Sequence, residues 1–276
     1  MRTQGEIRLA LRRGGGNSLA AHIASAVDGR IQGKSLVTNG PIFSAQDHVT
    51  PAYTRNVNFW GPAPLGVSPW NSDNGVINAG TLITPRHVIY TNHGLVGVGF
   101  PANGSTLRFI AADNSIITRT QSQFLRIGTT DIVIALLDSN LPGTIPHFTV
   151  MPDDLGLYLP SSFRVPILMI DQEEKGLVSD LYSFIPGGIY FRQPDDSFRR
   201  SFWELPIAGD SGDPLLGLIN AAWTVFGLIT NQEGLSPGLS GMNAALNQAI
   251  IDVDALGGVA TGFTVSNPTL TGFTKI

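Results

Sequence analysis

From residue 76 onward the chain is written in short runs rich in β-branched and aromatic residues, each closed by turn formers. No other feature constrains the fold as strongly, because such runs suit pleated strands and the punctuation keeps them short. Six runs come first, at 76–83, 87–91, 106–111, 115–119, 122–127 and 132–137. Thr84-Pro85-Arg86 separates one pair, and Asp113-Asn114 is a hairpin signal in another. After a break at Asn140-Leu141-Pro142-Gly143 the rhythm resumes at 148–151, 165–170, 178–184, 188–192, 198–204, 215–220 and 222–230. The 32 Gly and 18 Pro favour many turns over long helices. An all-β fold is therefore expected, its first six strands suiting a small Greek-key barrel.

One stretch departs from this pattern. In 240–256 the apolar residues Met242, Leu246, Ala249, Ile250, Val253 and Leu256 recur at three- and four-residue spacing, and Gly257-Gly258 supplies a stop. The organisation expected is an N-terminal extension (1–54), a first barrel (55–142), a second barrel (143–239), a helix (240–258) and a tail (259–276). The extension reads as an Arg-rich start, a glycine linker at Gly14-Gly15-Gly16, one short helix and then loop. Residues 56–69, rich in Pro, Gly and Trp, read as a packed surface loop. The tail has no helical period and reads as an added strand, a partner-binding arm or a disordered end.

Composition excludes several functions. A net charge of −4 offers no basic footprint for nucleic acid. With no cysteine, a disulfide, a thiol nucleophile and a Cys-based metal site are impossible. No histidine pair has the spacing of a helical zinc site, so no metal is expected. No apolar run is long enough to span a membrane. Residues 1–27 make a poor secretory signal, since His22 interrupts a short apolar core; export stays open.

The chemistry sits in Ala208-Gly209-Asp210-Ser211-Gly212-Asp213-Pro214. Glycines beside a serine let the backbone turn sharply and aim N–H groups at a reacting oxygen. Alone this is an ordinary polar turn. Upstream, however, Gly80-Thr81-Leu82-Ile83 leads through Val88-Ile89-Tyr90-Thr91-Asn92 to His93-Gly94, and Asp131-Ile132-Val133-Ile134-Ala135-Leu136-Leu137 follows. In motif, order and spacing, 76–256 resembles the trypsin/chymotrypsin-like serine proteases.

The resemblance implies two six-stranded antiparallel Greek-key barrels with a C-terminal helix, and a serine endopeptidase needing no cofactor. Its partner would be a peptide or protein substrate. Ser211 would be the nucleophile, His93 its base and Asp131 the carboxylate that orients the imidazole. Gly209 and Ser211 N–H would form the oxyanion hole. Leu205 would lie at the base of the specificity pocket. Leu228, Ile229 and Thr230 would form its wall, with backbone able to pair with substrate. Many relatives seat a cleavage-generated Ile amine on the Asp before the serine. Arg30-Ile31 is the local candidate, but it reads as loop, leaving Asp210 to find another donor. Asp213 and Thr91-Asn92 depart from the family pattern, and His87 reads as structural. The missing cysteines point to a bacterial or viral member. The rival readings are a non-catalytic scaffold of this fold, or a protease that processes its own precursor. An unrelated esterase is disfavoured, for a Gly-x-Ser-x-Gly elbow on an α/β pattern is lacking.

Overall fold

The computed structural model describes residues 18–71, 79–92, 103–232 and 234–276. Two antiparallel hairpin strands come first, β1 (Phe43–Asp47) and β2 (Ala52–Arg55). Five strands then form one sheet: β3 (Thr81–Thr84), β4 (His87–Thr91), β5 (Thr106–Ile110), β6 (Ile116–Arg126) and β7 (Ile132–Leu137). Their order is β3-β4-β7-β6-β5, antiparallel throughout. The second sheet comprises β8 (Thr149–Val150), β9 (Val165–Ile170), β10 (Gly176–Ile185), β11 (Gly188–Arg192), β12 (Pro214–Ile219), β13 (Ala222–Leu228) and β14 (Gly234–Pro237). Its order is β14-β11-β10-β9-β12-β13-β8, with only the β13–β8 pair parallel.

The apolar run Ile132–Leu137 is buried at every position because both faces of its sheet are covered. Val133, Ala135 and Leu137 join a core with Leu82, Val88, Tyr90, Leu107 and Phe109, inside the curl of the five-stranded sheet. Ile132, Ile134 and Leu136 point the other way, into the main core. That alternation is the two-residue period of a strand, used twice. The seven-stranded sheet also curls. Gly227 bridges Gly238, and Leu239 N–H donates to the Phe226 carbonyl, so the far end of β14 returns to β13. Glycine is required there: a Cβ on Gly227 would lie 2.4 Å from the Pro237 oxygen, and one on Gly238 2.6 Å from the Gly188 carbonyl carbon.

Several expectations are corrected. The runs at 115–119 and 122–127 are one strand, β6, whose register shifts between Gln121 and Gln123; no turn former stands between them. The strand expected at 198–204 is instead the short helix Ser197–Arg200 and a loop. Asp196 caps that helix by accepting from Phe198 and Arg199 N–H, a bond no strand could use. β14 was not foreseen, and among the described residues the two large sheets hold five and seven strands rather than six each.

The N-terminal region is more than an appended arm. Helix α1 (Leu19–Ile31), capped by Ser18, places Leu19, Ile23, Val27 and Ile31 on one fully buried stripe. It packs on β9 and β12. Arg199 grips Asp28 through two bonds of 2.7 and 2.9 Å. Arg30 is therefore helical, not loop, and its guanidinium donates to the Ala26 carbonyl. The expected surface loop at 56–69 is tightly packed: Trp60 is buried, meets Trp223 edge-on at 5.9 Å and donates to the Gly176 carbonyl.

The expected C-terminal helix is present as α2 (Asn243–Leu256), lying across β6 and β7. His87 fastens it, as the structural reading of that residue requires. Its Nδ1 lies 2.7 Å from Thr84 Oγ1 and its Nε2 3.1 Å from Asp254 Oδ1. A carboxylate accepts only, so Nε2 carries the proton. Burial holds the His87 pKa below the usual histidine value. Burial pushes Asp254 up, yet bonds from Thr261 and His87 outweigh it and hold this carboxyl below its usual range. The tail forms no strand but is tied down as a strap. Val150 N–H donates to Ser266, Asn220 Nδ2 to Thr269 and Ile276 N–H to Leu157. Phe273 meets His22 of α1 edge-on at 5.0 Å. Among the described residues no helix is long and apolar enough to cross a membrane.

Replacing His87 by Ala opens a cavity and strips a buried carboxylate of one partner. We expect a loss of about 2–4 kcal/mol in stability, read from urea unfolding; a change below about 0.5 kcal/mol would contradict the clasp described here.

Candidate active site

The turn at 208–213 connects an exposed loop to β12, and its shape follows from its glycines. Gly209 has φ +115° and Gly212 φ +98°, both in the region that disfavours side chains. Three of its N–H groups are committed. Asp210 donates to Ile207 (3.2 Å), Gly212 to Ile229 (2.9 Å) and Asp213 to Asp210 (3.2 Å). Among the described residues, the N–H groups of Ala208, Gly209 and Ser211 have no acceptor within the chain. Ser211 itself is half-buried.

Two distant segments hold this turn. Trp70 Nε1 donates to the Gly209 carbonyl at 2.9 Å, and Trp70 N–H donates to Glu174 Oε1. The 171–175 turn between β9 and β10 supplies Gln172, whose N–H donates to Asp210 Oδ1 at 3.0 Å. Asp210 Oδ2 accepts from Ile207 N–H at 2.7 Å. Asp210 thus has in-chain donors, as expected, while Ile31 is sealed in the last turn of α1. Nothing in the sequence pattern marked Trp70 or Gln172 for this role, because neither lies near the turn along the chain.

Asp131 opens β7. Its main-chain oxygen and its Oδ1 both accept from Asn92 N–H, at 3.0 and 3.2 Å. This puts a carboxylate against the residue immediately before His93. His93 itself lies outside the described residues. Asp131 and Thr130 also line an open cleft of about 350 Å³ between the two sheets. The other wall is formed by Pro186 from the β10–β11 turn, Thr230, and Leu235 and Ser236 of β14. Thr230 follows Ile229, the residue whose carbonyl receives Gly212 N–H. Thr230 of the cleft wall is thus next in the chain to a residue bonded to the Ser211 turn.

The expected substrate-binding residues separate. Thr230 faces the cleft, with N–H and Oγ1 both bonded to Ser236 Oγ. Leu228 and Ile229 are corrected: their side chains are buried in the core. The N–H and C=O of Ile229 are already spent on Asp213 and Gly212, so it cannot receive an added strand. Leu205 stands about half exposed beside the likewise exposed Ile207 and does not line this cleft. Leu235 and Ser236 escaped sequence reading because β14 is too short to show a period.

Beneath the turn lies a concentration of buried acid. Asp213 is fully buried, and among the described residues neither carboxyl oxygen has a hydrogen-bond partner. Burial, then the neighbouring Glu174, Asp210 and Asp171, pushes its pKa well above the usual range. Burial pushes Glu174 to about 8 and Asp171 to about 7, against bonds from Trp70 and Lys175 N–H that act the other way. The upward shifts favour the neutral form of these carboxyls, which is how a low-dielectric site tolerates them. Asp171, Glu173 and Glu204 approach closely enough to hold a cation. That position already has one: Lys175 Nζ lies 2.6 Å from Glu173 and 2.9 Å from Glu204.

No protein-family model and no curated protein matches this sequence.

The buried acids set a pH dependence. A carboxyl whose folded pKa is raised gives stability that is fully present below its unfolded pKa and is lost as pH rises toward the folded value. Buried histidines act oppositely, but only below about 6.5. Between pH 6.5 and 8 the stability should therefore fall. Glu174→Gln should flatten the decline by up to about 1.4 kcal/mol per pH unit. Denaturant midpoints across that window test this, and a wild-type profile that rises through it would refute it.

Proposed function

We propose that this chain is a serine endopeptidase that cleaves peptide bonds through an acyl-enzyme intermediate. The observation that carries the reading is the pair of N–H groups of Gly209 and Ser211, which have no acceptor among the described residues and are the pair an oxyanion hole would use. The carboxylate of Asp131 beside the backbone that enters His93, and the cleft shared by Asp131 and Thr230, support it.

In this mechanism Ser211 Oγ attacks the scissile carbonyl carbon as His93 takes its proton. Asp131 fixes the tautomer of His93 and offsets the charge of the imidazolium. Gly209 and Ser211 N–H bind the oxyanion; each such donor is worth about 10²–10³ in turnover. Collapse of the tetrahedral species expels the amine, which receives the proton from His93. Water then releases the acyl group by the same route in reverse. Every step uses side chains and backbone, so the mechanism calls for no cofactor. The substrate is a peptide or protein segment laid along the seam.

In architecture, we read the two curled sheets as two β-barrels, the first spanning 55–142 and the second 143–239. The return of β14 to β13 through Gly227 and Gly238 supports closure of the second. The curl of β3 to β7 around the core of Tyr90 and Phe109 supports the first.

A fluorophosphonate probe should label the wild-type chain covalently at Ser211, located by peptide mass mapping. Ser211→Ala and His93→Ala should each abolish labelling while the far-ultraviolet circular dichroism stays that of the wild type. A folded wild-type chain that takes no label would leave the non-catalytic scaffold as the better reading.

A further inference from the structure

We propose that Gln172 is a positioning residue of this site: its side-chain amide holds the Ala208–Gly209 peptide so that Gly209 N–H faces the reacting oxygen. This rests on the serine-hydrolase reading and extends it to a residue that no motif includes.

The argument begins with peptide geometry. In a planar trans peptide the N–H and C=O point in opposite directions, so anchoring one aims the other. The described residues contain no cis peptide. Ser211 N–H belongs to the peptide whose carbonyl is that of Asp210, and that oxygen is anchored by Asp213 N–H at 3.2 Å. Gly209 N–H belongs to the peptide whose carbonyl is that of Ala208. Here the donor is Gln172 Nε2, at 3.3 Å. Among the described residues no other donor reaches this carbonyl. One oxyanion donor is thus aimed by the backbone of the turn itself, and the other by a single side chain from the neighbouring hairpin.

Gln172 is well placed for this work. Its own N–H is fixed on Asp210 Oδ1 at 3.0 Å, so one residue pins the turn at two points. Its amide also lies flat on Gly209. A Cβ there would fall 2.2 Å from Gln172 Oε1 and 2.8 Å from its Cδ. The next peptide is held independently, by Trp70 Nε1 on the Gly209 carbonyl. Without the Gln172 amide, the Ala208–Gly209 unit is the one peptide of the turn free to rotate between two fixed neighbours. Rotation would turn the Ala208 oxygen, rather than Gly209 N–H, toward a developing oxyanion.

Two substitutions isolate the hydrogen bond from packing. Gln172→Met keeps the length and loses the donor. Gln172→Glu keeps the shape and puts an acceptor against the Ala208 carbonyl. Both retain the residue 172 N–H and its bond to Asp210, so the fold should stand. We would measure fluorophosphonate labelling of the full chain at varied probe concentration, separating the maximal rate from the half-saturating concentration, alongside the thermal midpoint.

The expected result is a maximal rate lower by about tenfold to a hundredfold in Gln172→Met and by more in Gln172→Glu, bounded by the cost of a lost oxyanion donor. The half-saturating concentration and the thermal midpoint should not move. Wild-type rates in both variants, with wild-type Ser211 labelled normally, would overturn the role of Gln172 and leave the serine reading intact. A slower rate tracking a lowered midpoint would also overturn it, reducing Gln172 to a brace. A wild-type chain that takes no label would remove both readings together.

Discussion

The bonding of one buried carboxylate organises the centre of the molecule. Asp210 takes Gln172 N–H on one oxygen and Ile207 N–H on the other. Through the first bond the β9–β10 hairpin is fixed to the turn that carries Ser211, and through the second the turn is closed on itself. Burial alone would push Asp210 toward protonation, and the two N–H bonds oppose it. Trp70 then joins the same hairpin to the same turn from a third direction, donating to Glu174 and to Gly209. The hairpin turn and the serine turn are thus braced against each other at three points.

The acids beneath this junction carry a different lesson. A chain with few charges nevertheless buries Asp171, Glu174 and Asp213 close enough to influence one another. The nearby cations do little for them: Arg55 acts weakly on Glu174, and Lys175 is occupied by Glu173 and Glu204 at the surface. Neutral carboxyls are the state that such a site favours. Asp213 thereby becomes part of the foundation under the serine turn rather than a charge beside it.

Much of the architecture could be read in advance because it is local. The unbroken apolar stretch Ile132–Leu137 marked a strand, and the three- and four-residue spacing from Met242 marked α2. The turn signal at Asp113-Asn114 correctly joined β5 to β6. Where reading failed, a neighbour decided. The 198–204 run lost its strand to a capping carboxylate two residues upstream. β14 exists only because β11 offers it an edge. At the site, the glycines around Ser211 and the Asp at the head of β7 were visible as motifs. Trp70 and Gln172 were not, since each reaches the turn across the fold, and Leu228 and Ile229 turned inward because β13 lies against the core.

The sequence distance between Trp70 and the Gly209 carbonyl is 139 residues. Contacts of that separation form late, since the closure entropy of a long loop must be met before they add anything. Trp70 and Gln172 precede residues 208–213 in the chain, so both partners have left the ribosome by the time the turn emerges between them and the C-terminal strands. On the reading proposed above, the amides around Ser211 would be aimed only once these distant segments have met, so competence of the site would track completion of the fold.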